Sequence, residues 1–340
     1  MRKFILLSSI IFISAFCFAK PQQVPEWVLN YQSVYPEKDY IAQKGTGKKA
    51  EEAKLDAIAN ISFYFNTKVN AKREVNFKSY EKTSGKNKSQ ETVQNVERKT
   101  SVDTDSTLSA LQFTEAWKNK KDKTWHCVAY IKRETLWNEY EPELRVAKDN
   151  FAGFYDVAKI SEEPFEKIRL LAMAKENGYD FLDKISYAQF LSESLTDTNY
   201  RDDIALLSSL SSSIQELKNQ SSLFISVDND FGNTIYSTVS QVLSDNGFVV
   251  NKNRTSAMYL VDVKVGFENF FDDDLYVFSP SVQIEFRNKN DGVVFSYSKE
   301  CPKVKVYTKA AGEKKCLQNI KTELDESFTK EFDSVINGKE

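Results

Sequence analysis

The sequence predicts an α+β protein. It has an N-terminal β-α-β domain with three or four strands after its helix, a central helical region, and a C-terminal α+β domain with an antiparallel sheet and a closing helix. Three observations predict it. Asp39–Gln43 is short and extended, and it leads through Gly45 and Gly47 into Ala50, Ala53, Ala57, Ile58, Ile61 and Phe65 at helical spacing. Between residues 134 and 219 apolar positions recur at helical intervals with only short breaks. From Ser221 onward, strand-like runs alternate with turn signals, and Leu317, Ile320, Leu324, Phe328 and Phe332 then align on one face of a final helix, Glu313 to Val335.

The predicted organisation follows the chain: 1–19 an export signal, 20–38 an extended lead-in, 39–133 the first α+β domain, 134–219 the helical region and 220–340 the last domain. Arg2 and Lys3 precede the apolar run Phe4 to Phe18, and Ala19 offers a small residue for cleavage. A competing reading makes Cys17 a lipidated residue. Phe16 is bulky where a lipid-attachment signal wants a small side chain, so cleavage after Ala19 is preferred. The apolar run is short of the ~20 residues a spanning helix needs, and no later stretch is long and apolar enough. The chain is therefore expected to be exported, periplasmic, or held at the outer membrane if Cys17 carries lipid. Its net charge of −3 argues against nucleic acid as an obligatory partner.

In the lead-in, Pro25 and Pro36 argue against regular helix. Trp27, Val28 and Tyr31 are expected to pin this segment to the first domain, with Trp27 and Tyr31 as binding anchors the alternative. Gly45 and Gly47 suggest a tight reversal. Beyond the helix, Val69, Ala71, Val75 and Phe77 alternate with charge over Asn66 to Tyr80 and predict a strand. Lys82 to Gln90 reads as a polar tip and Glu91 to Ser101 as a second strand. Leu108 to Trp117 and Lys123 to Ile131 read as a hairpin around Lys118–Asp122.

The Trp-containing lead-in, Tyr40-Ile41-Ala42-Gln43-Lys44-Gly45-Thr46-Gly47, the Ala-rich helix and the strand ending Val128-Ala129-Tyr130-Ile131 resemble the LPP-twenty lipoprotein family of bacterial envelopes. The resemblance covers Pro25 to Trp137. It implies an envelope protein, with outer-membrane lipoproteins and components near the flagellar basal body and its rings among the relatives. It carries over no site residue. The sequence departs from the family at the lipid-attachment signal.

Helices are expected over Leu136 to Lys159, from Pro164 with Ser161 as a candidate cap to a stop at Gly178, over Phe181 to Leu195, and over Asp202 to Leu217. In the last domain, Leu223–Val227 reads as a buried strand and Asp228–Gly232 as a turn. Thr234 to Asn246 reads as a helix stopped by Gly247, and Phe248–Val250 and Met258 to Phe267 read as strands. Tyr276 to Arg287 and Val293 to Lys299 form a hairpin. This opening has a general likeness to envelope domains of the curli-secretion and Tol-translocation type.

Reactive groups do not converge in the sequence. Gly45-Thr46-Gly47-Lys48-Lys49 lacks the first glycine and the hydroxyl residue of a phosphate loop. Asp228–Gly232 lacks the later ligands of a calcium loop, and Asp272–Asp274 reads as a solvated hairpin tip. His126 is the only histidine, and on a strand it faces away from Cys127. Cys127 reads as a small core residue. Cys301 and Cys316 close a short loop and are a candidate disulfide in an oxidising envelope. No catalytic residue, cofactor or metal site is expected. The preferred function is a non-catalytic envelope assembly protein acting on other envelope proteins, in a flagellar or ring-like setting if the resemblance holds. A periplasmic carrier for a small or lipid-like ligand is the alternative, because the aromatic content could line a cavity.

Overall fold

The computed structural model describes residues 23–84 and 110–338, with the backbone alone for 81–84. The signal, Cys17 and the strand expected over Glu91 to Ser101 lie outside the described residues. The fold is α+β and divides into two compact units: residues 23–64 with 110–133, and residues 65–84 with 134–338.

In the first unit, β1 (Tyr40–Gly47) pairs antiparallel with β4 (Trp125–Lys132), from Tyr40 opposite Lys132 to Gly47 opposite Trp125. Two short strands, β2 (Gln112–Phe113) and β3 (Trp117–Lys118), pair antiparallel with β4 as well. The glycines do not make the expected reversal. Both lie within β1, where their missing side chains let α3 (Ala50–Ser84) approach. A Cβ on Gly45 would fall on the backbone of Ala53 and Ala57, 2.7 Å from the Ala57 Cα, and one on Gly47 would meet the Ala53 nitrogen at 2.6 Å. Ala53, Ala57 and Ile61 are accordingly buried. Polar groups fix this approach. Thr46 N–H donates to Asp56 (2.8 Å), Lys48 N–H donates to Glu52 (2.9 Å), and Asn60 donates to the Lys44 carbonyl (3.1 Å).

The lead-in is not extended. It forms two single turns of helix, α1 (Glu26–Leu29) and α2 (Tyr31–Val34). Pro25 sits at the start of α1, where a missing N–H costs nothing. These turns pack on β4 and β1, and Tyr35 stacks on Tyr130 at 4.2 Å. Register puts Tyr130 on the face opposite Cys127 and Ala129.

The strand expected over Asn66 to Tyr80 is instead the continuation of α3. Residues 50–64 of this helix belong to the first unit and 65–84 to the second. Phe65, Val69, Arg73, Phe77 and Tyr80 are buried, while Ala71 and Val75, which suggested alternation, are exposed. In the second unit this stretch meets α5 (Pro164–Leu191). Arg73 pairs with Asp183. Asn76 donates to Ser186 and Gln189, and Phe65 packs on Tyr187 and Phe190.

α4 (Arg133–Ile160) matches its predicted span closely. The helices expected from Pro164 to Gly178 and over Phe181 to Leu195 merge into one, and the break falls at Ser192 instead. Glu163, not Ser161, caps α5 by accepting from Glu166 N–H (2.8 Å). The helix then runs through Gly178, because that glycine makes room for Leu207 of α6 (Glu193–Gln220), whose Cδ1 occupies the place of a Cβ. Ser192 ends α5 and caps α6.

The C-terminal sheet has the order β5-β6-β7-β8, with β9 also on β7. The strands are β5 (Leu223–Asp228), β6 (Tyr259–Asp272), β7 (Leu275–Arg287), β8 (Val293–Glu300) and β9 (Val304–Val306). The sheet is antiparallel from β6 through β9, as expected, and β5 joins it parallel to β6. The helix between them, α7 (Thr234–Asp245), is the crossover that parallel neighbours require. Phe248–Val250 forms no regular strand: Val250 makes an isolated bridge to Leu223, and the Val249 carbonyl accepts from Leu223 N–H (2.8 Å). The closing helix comes in three pieces: α8 (Lys309–Glu323), a π-helical turn over Leu324–Phe328, and α9 (Thr329–Ile336).

One aromatic core joins helices and sheet in this unit. Phe165, at the start of α5, lies within 6.5 Å of the rings of Phe248, Tyr259, Phe286, Phe295 and Phe332. The helical region and the last sheet therefore share a core.

Candidate interaction surface

The sequence-predicted positions do not come together. Trp27 and Tyr31 are both half-buried in the lead-in turns, which lie against the first sheet. Cys301 and Cys316 are both buried free thiols rather than a disulfide. Cys301 belongs to the main core, and Cys316 to a small cluster with Phe278 and Val304. Burial pushes each thiol up to about 11, which keeps it protonated and hydrophobic at neutral pH.

His126 shares a face of β4 with Tyr130, and Cys127 is buried on the other. Burial and the nearby Lys44 lower the His126 pKa, so the ring is neutral at pH 7. Its Nε2 is 3.1 Å from the Thr124 hydroxyl. Cys127 contacts Thr114, and burial raises its pKa. A neutral histidine and a protonated thiol on opposite faces do not make a nucleophile pair.

At the Asp228–Gly232 turn, Asp230 accepts from Tyr236 N–H (2.8 Å), and Asn229 donates to the Val265 carbonyl (3.1 Å). These bonds dock the turn and start α7. Among the described residues, no group of three or more His, Cys, Asp or Glu could hold a metal ion, and no helix is long and apolar enough to cross a membrane.

The arrangement that sequence reasoning missed is the far end of the C-terminal sheet. β5 stops opposite Lys264 and β8 stops opposite Ser281, but β6 and β7 pair on to Asp272 opposite Leu275. Among the described residues only β9 accompanies them there, with Val304, Lys305 and Val306 opposite Phe278, Val277 and Tyr276. The sheet thus continues for about 26 Å along β6 past the end of β5. Among the described residues, no strand pairs with the outer edge of β6 beyond Val265, or with the outer edge of β9.

Alternation sorts the side chains of this arm. Asn269 and Phe271 point to the face shared with Phe278, which α8 covers so closely that a Cβ on Gly312 would overlap the Phe278 ring, 2.6 Å from its Cδ2 and closer still to its Cε2. Glu268, Phe270 and Asp272 point to the other face, with Val277 and Lys305. Phe270 is 54% exposed and Phe271 61%, and Tyr307, just past β9, is 81% exposed. The Asp272–Asp274 tip was expected to be solvated, and it is. Asp273 and Asp274 adopt the positive φ of a two-residue turn.

No family model matches the chain, and no curated protein matches it. Solved structures do align. A secreted protein from Helicobacter pylori covers 86% of this chain and 99% of its own length at 12% identity, with a TM-score of 0.31. A minor lipoprotein from Acinetobacter baumannii covers 34% and 91% at 12% identity, with a TM-score of 0.25. A lipoprotein from Neisseria meningitidis covers 32% and 99% at 9% identity, with a TM-score of 0.22. Likenesses at these scores carry no argument about what the chain does.

Proposed function

We propose that this chain is a non-catalytic subunit of the bacterial envelope that works by binding other proteins. The observation that supports this reading is the distal arm of the C-terminal sheet. Among the described residues it presents two strand edges without a paired strand, together with exposed aromatic rings, the combination by which strands add to one another across an interface. The LPP-twenty resemblance supports the envelope setting, with flagellar or ring-like assemblies among those it implies.

The experiment replaces both exposed rings, Phe270→Ser with Phe271→Ser. Neither ring belongs to the main core, so circular dichroism and the melting temperature should match wild type. The complex captured by mild crosslinking in intact cells should shrink. A folded variant whose captured complex is unchanged sinks the reading.

A further inference from the structure

We infer that the partner at this arm is a second copy of the same chain, added head to tail. In this arrangement the outer edge of β9 in one copy lies against the outer edge of β6 in the next. The inference rests on the reading above that the chain works by protein contact, and it names the partner.

The argument begins with the direction of the strands. β6 and β7 are antiparallel, as are β7 and β9, so β6 and β9 run the same way on opposite edges of the arm. A second copy placed beside the first without inversion would extend the sheet, its β6 parallel to the first copy's β9. Such a junction is heterologous, joining two different surfaces.

Charge distinguishes the two edges. The β6 edge carries Glu268 and Asp272 and ends at Asp273 and Asp274, all exposed. The β9 edge carries Lys305, flanked by Lys303 before it and Lys309 after it, all exposed. Register places Glu268, Asp272 and Lys305 on the same face of the sheet. A sheet continued without inversion keeps that face continuous, so the acidic side chains of one copy meet the basic ones of the next. The alternative of two β6 edges related by a two-fold axis would crowd Glu268 and Asp272 of one copy against those of the other. Like charges across a strand pair are destabilising. Phe270 lies between Glu268 and Asp272 on the joined face and would be covered by the junction.

A charge exchange tests this. One variant reverses the acidic edge, Glu268→Lys with Asp272→Lys. The other reverses the basic edge, Lys303→Glu with Lys305→Glu. Each is followed by sedimentation velocity over a range of concentrations, alone and mixed in equal amounts. The wild type should associate as concentration rises, and about tenfold more weakly at 0.5 M than at 0.05 M sodium chloride. Each variant alone should stay monomeric, because the strand side chains that meet across the junction then bear the same charge. The mixture should regain association, since each variant's reversed edge complements that of the other.

A wild type that is monomeric throughout overturns the inference and assigns these charges to guarding open edges against pairing. If crosslinked complexes with other proteins persist in that case, the function proposed above stands while self-pairing falls. A basic-edge variant that associates like wild type overturns it too, since only β6–β6 pairing or another surface would survive that change. If either variant fails to fold, the salt dependence of the wild type decides: association that does not weaken with salt overturns the inference.

Discussion

The two sheets of this chain are each covered by a helix, but by opposite means. In the first unit, α3 lies on β1 through glycine and alanine, so backbone meets backbone, and the lead-in turns occupy the other face. In the second, the π-helical turn and α9 lie on β7 and β8 through Phe286, Phe295, Phe328 and Phe332. That sheet keeps a solvated face and outruns its own flanking strands. In the first sheet β1 is an edge strand as well, but Asp56 and Asn60 of α3 bond to its Thr46 N–H and Lys44 carbonyl. The second has strand edges and rings left over.

The contrast predicts different sensitivities. A contact made by large rings is lost when a ring is removed, and one made by backbone is lost when an atom is added. The largest effect is expected for Phe332→Ala, which empties the centre of the aromatic core. Chemical denaturation should show a loss of roughly 3–5 kcal/mol. Gly45→Ala comes next, at about 3 kcal/mol, since neither Ala53 nor Ala57 can retreat without moving the helix. Gly312→Ala should cost least. There the added methyl meets a ring that can shift, and alanine's better helix propensity offsets about 1 kcal/mol. If Gly312→Ala costs more than Gly45→Ala in the same denaturation series, the distinction between backbone and ring contacts fails.

How much of this was legible in the sequence depended on what hid the period. The start of α3 was clear because its buried residues are small and apolar. Its continuation was not, because Arg73 occupies a buried position. A charged residue in the stripe breaks the helical pattern, and the exposed Val75 supplies a false alternation. The buried residues also recur every fourth position from Ala53 to Phe77, so the stripe drifts around a helix of 3.6 residues per turn.

Glycine misled three times for one reason. In sequence Gly45, Gly47 and Gly178 read as breaks in the backbone, whereas each makes space for a neighbouring element. That role depends on a partner remote in sequence. The parallel pairing of β5 and β6 was legible in principle, since a helix lies between them. β9 was too short to show a period. The acidic tip was recognised, but an edge becomes visible only when one knows where the flanking strands stop.

The most direct test of the central claim, that the second sheet's open arm is where this chain meets other proteins, is site-specific photo-crosslinking in intact cells. A photoreactive residue at position 271, on the arm, is compared with one at position 157, which is also exposed but lies on α4. The account predicts a discrete protein adduct at 271 and none at 157. Equal labelling at both positions, or no adduct at 271, would contradict it.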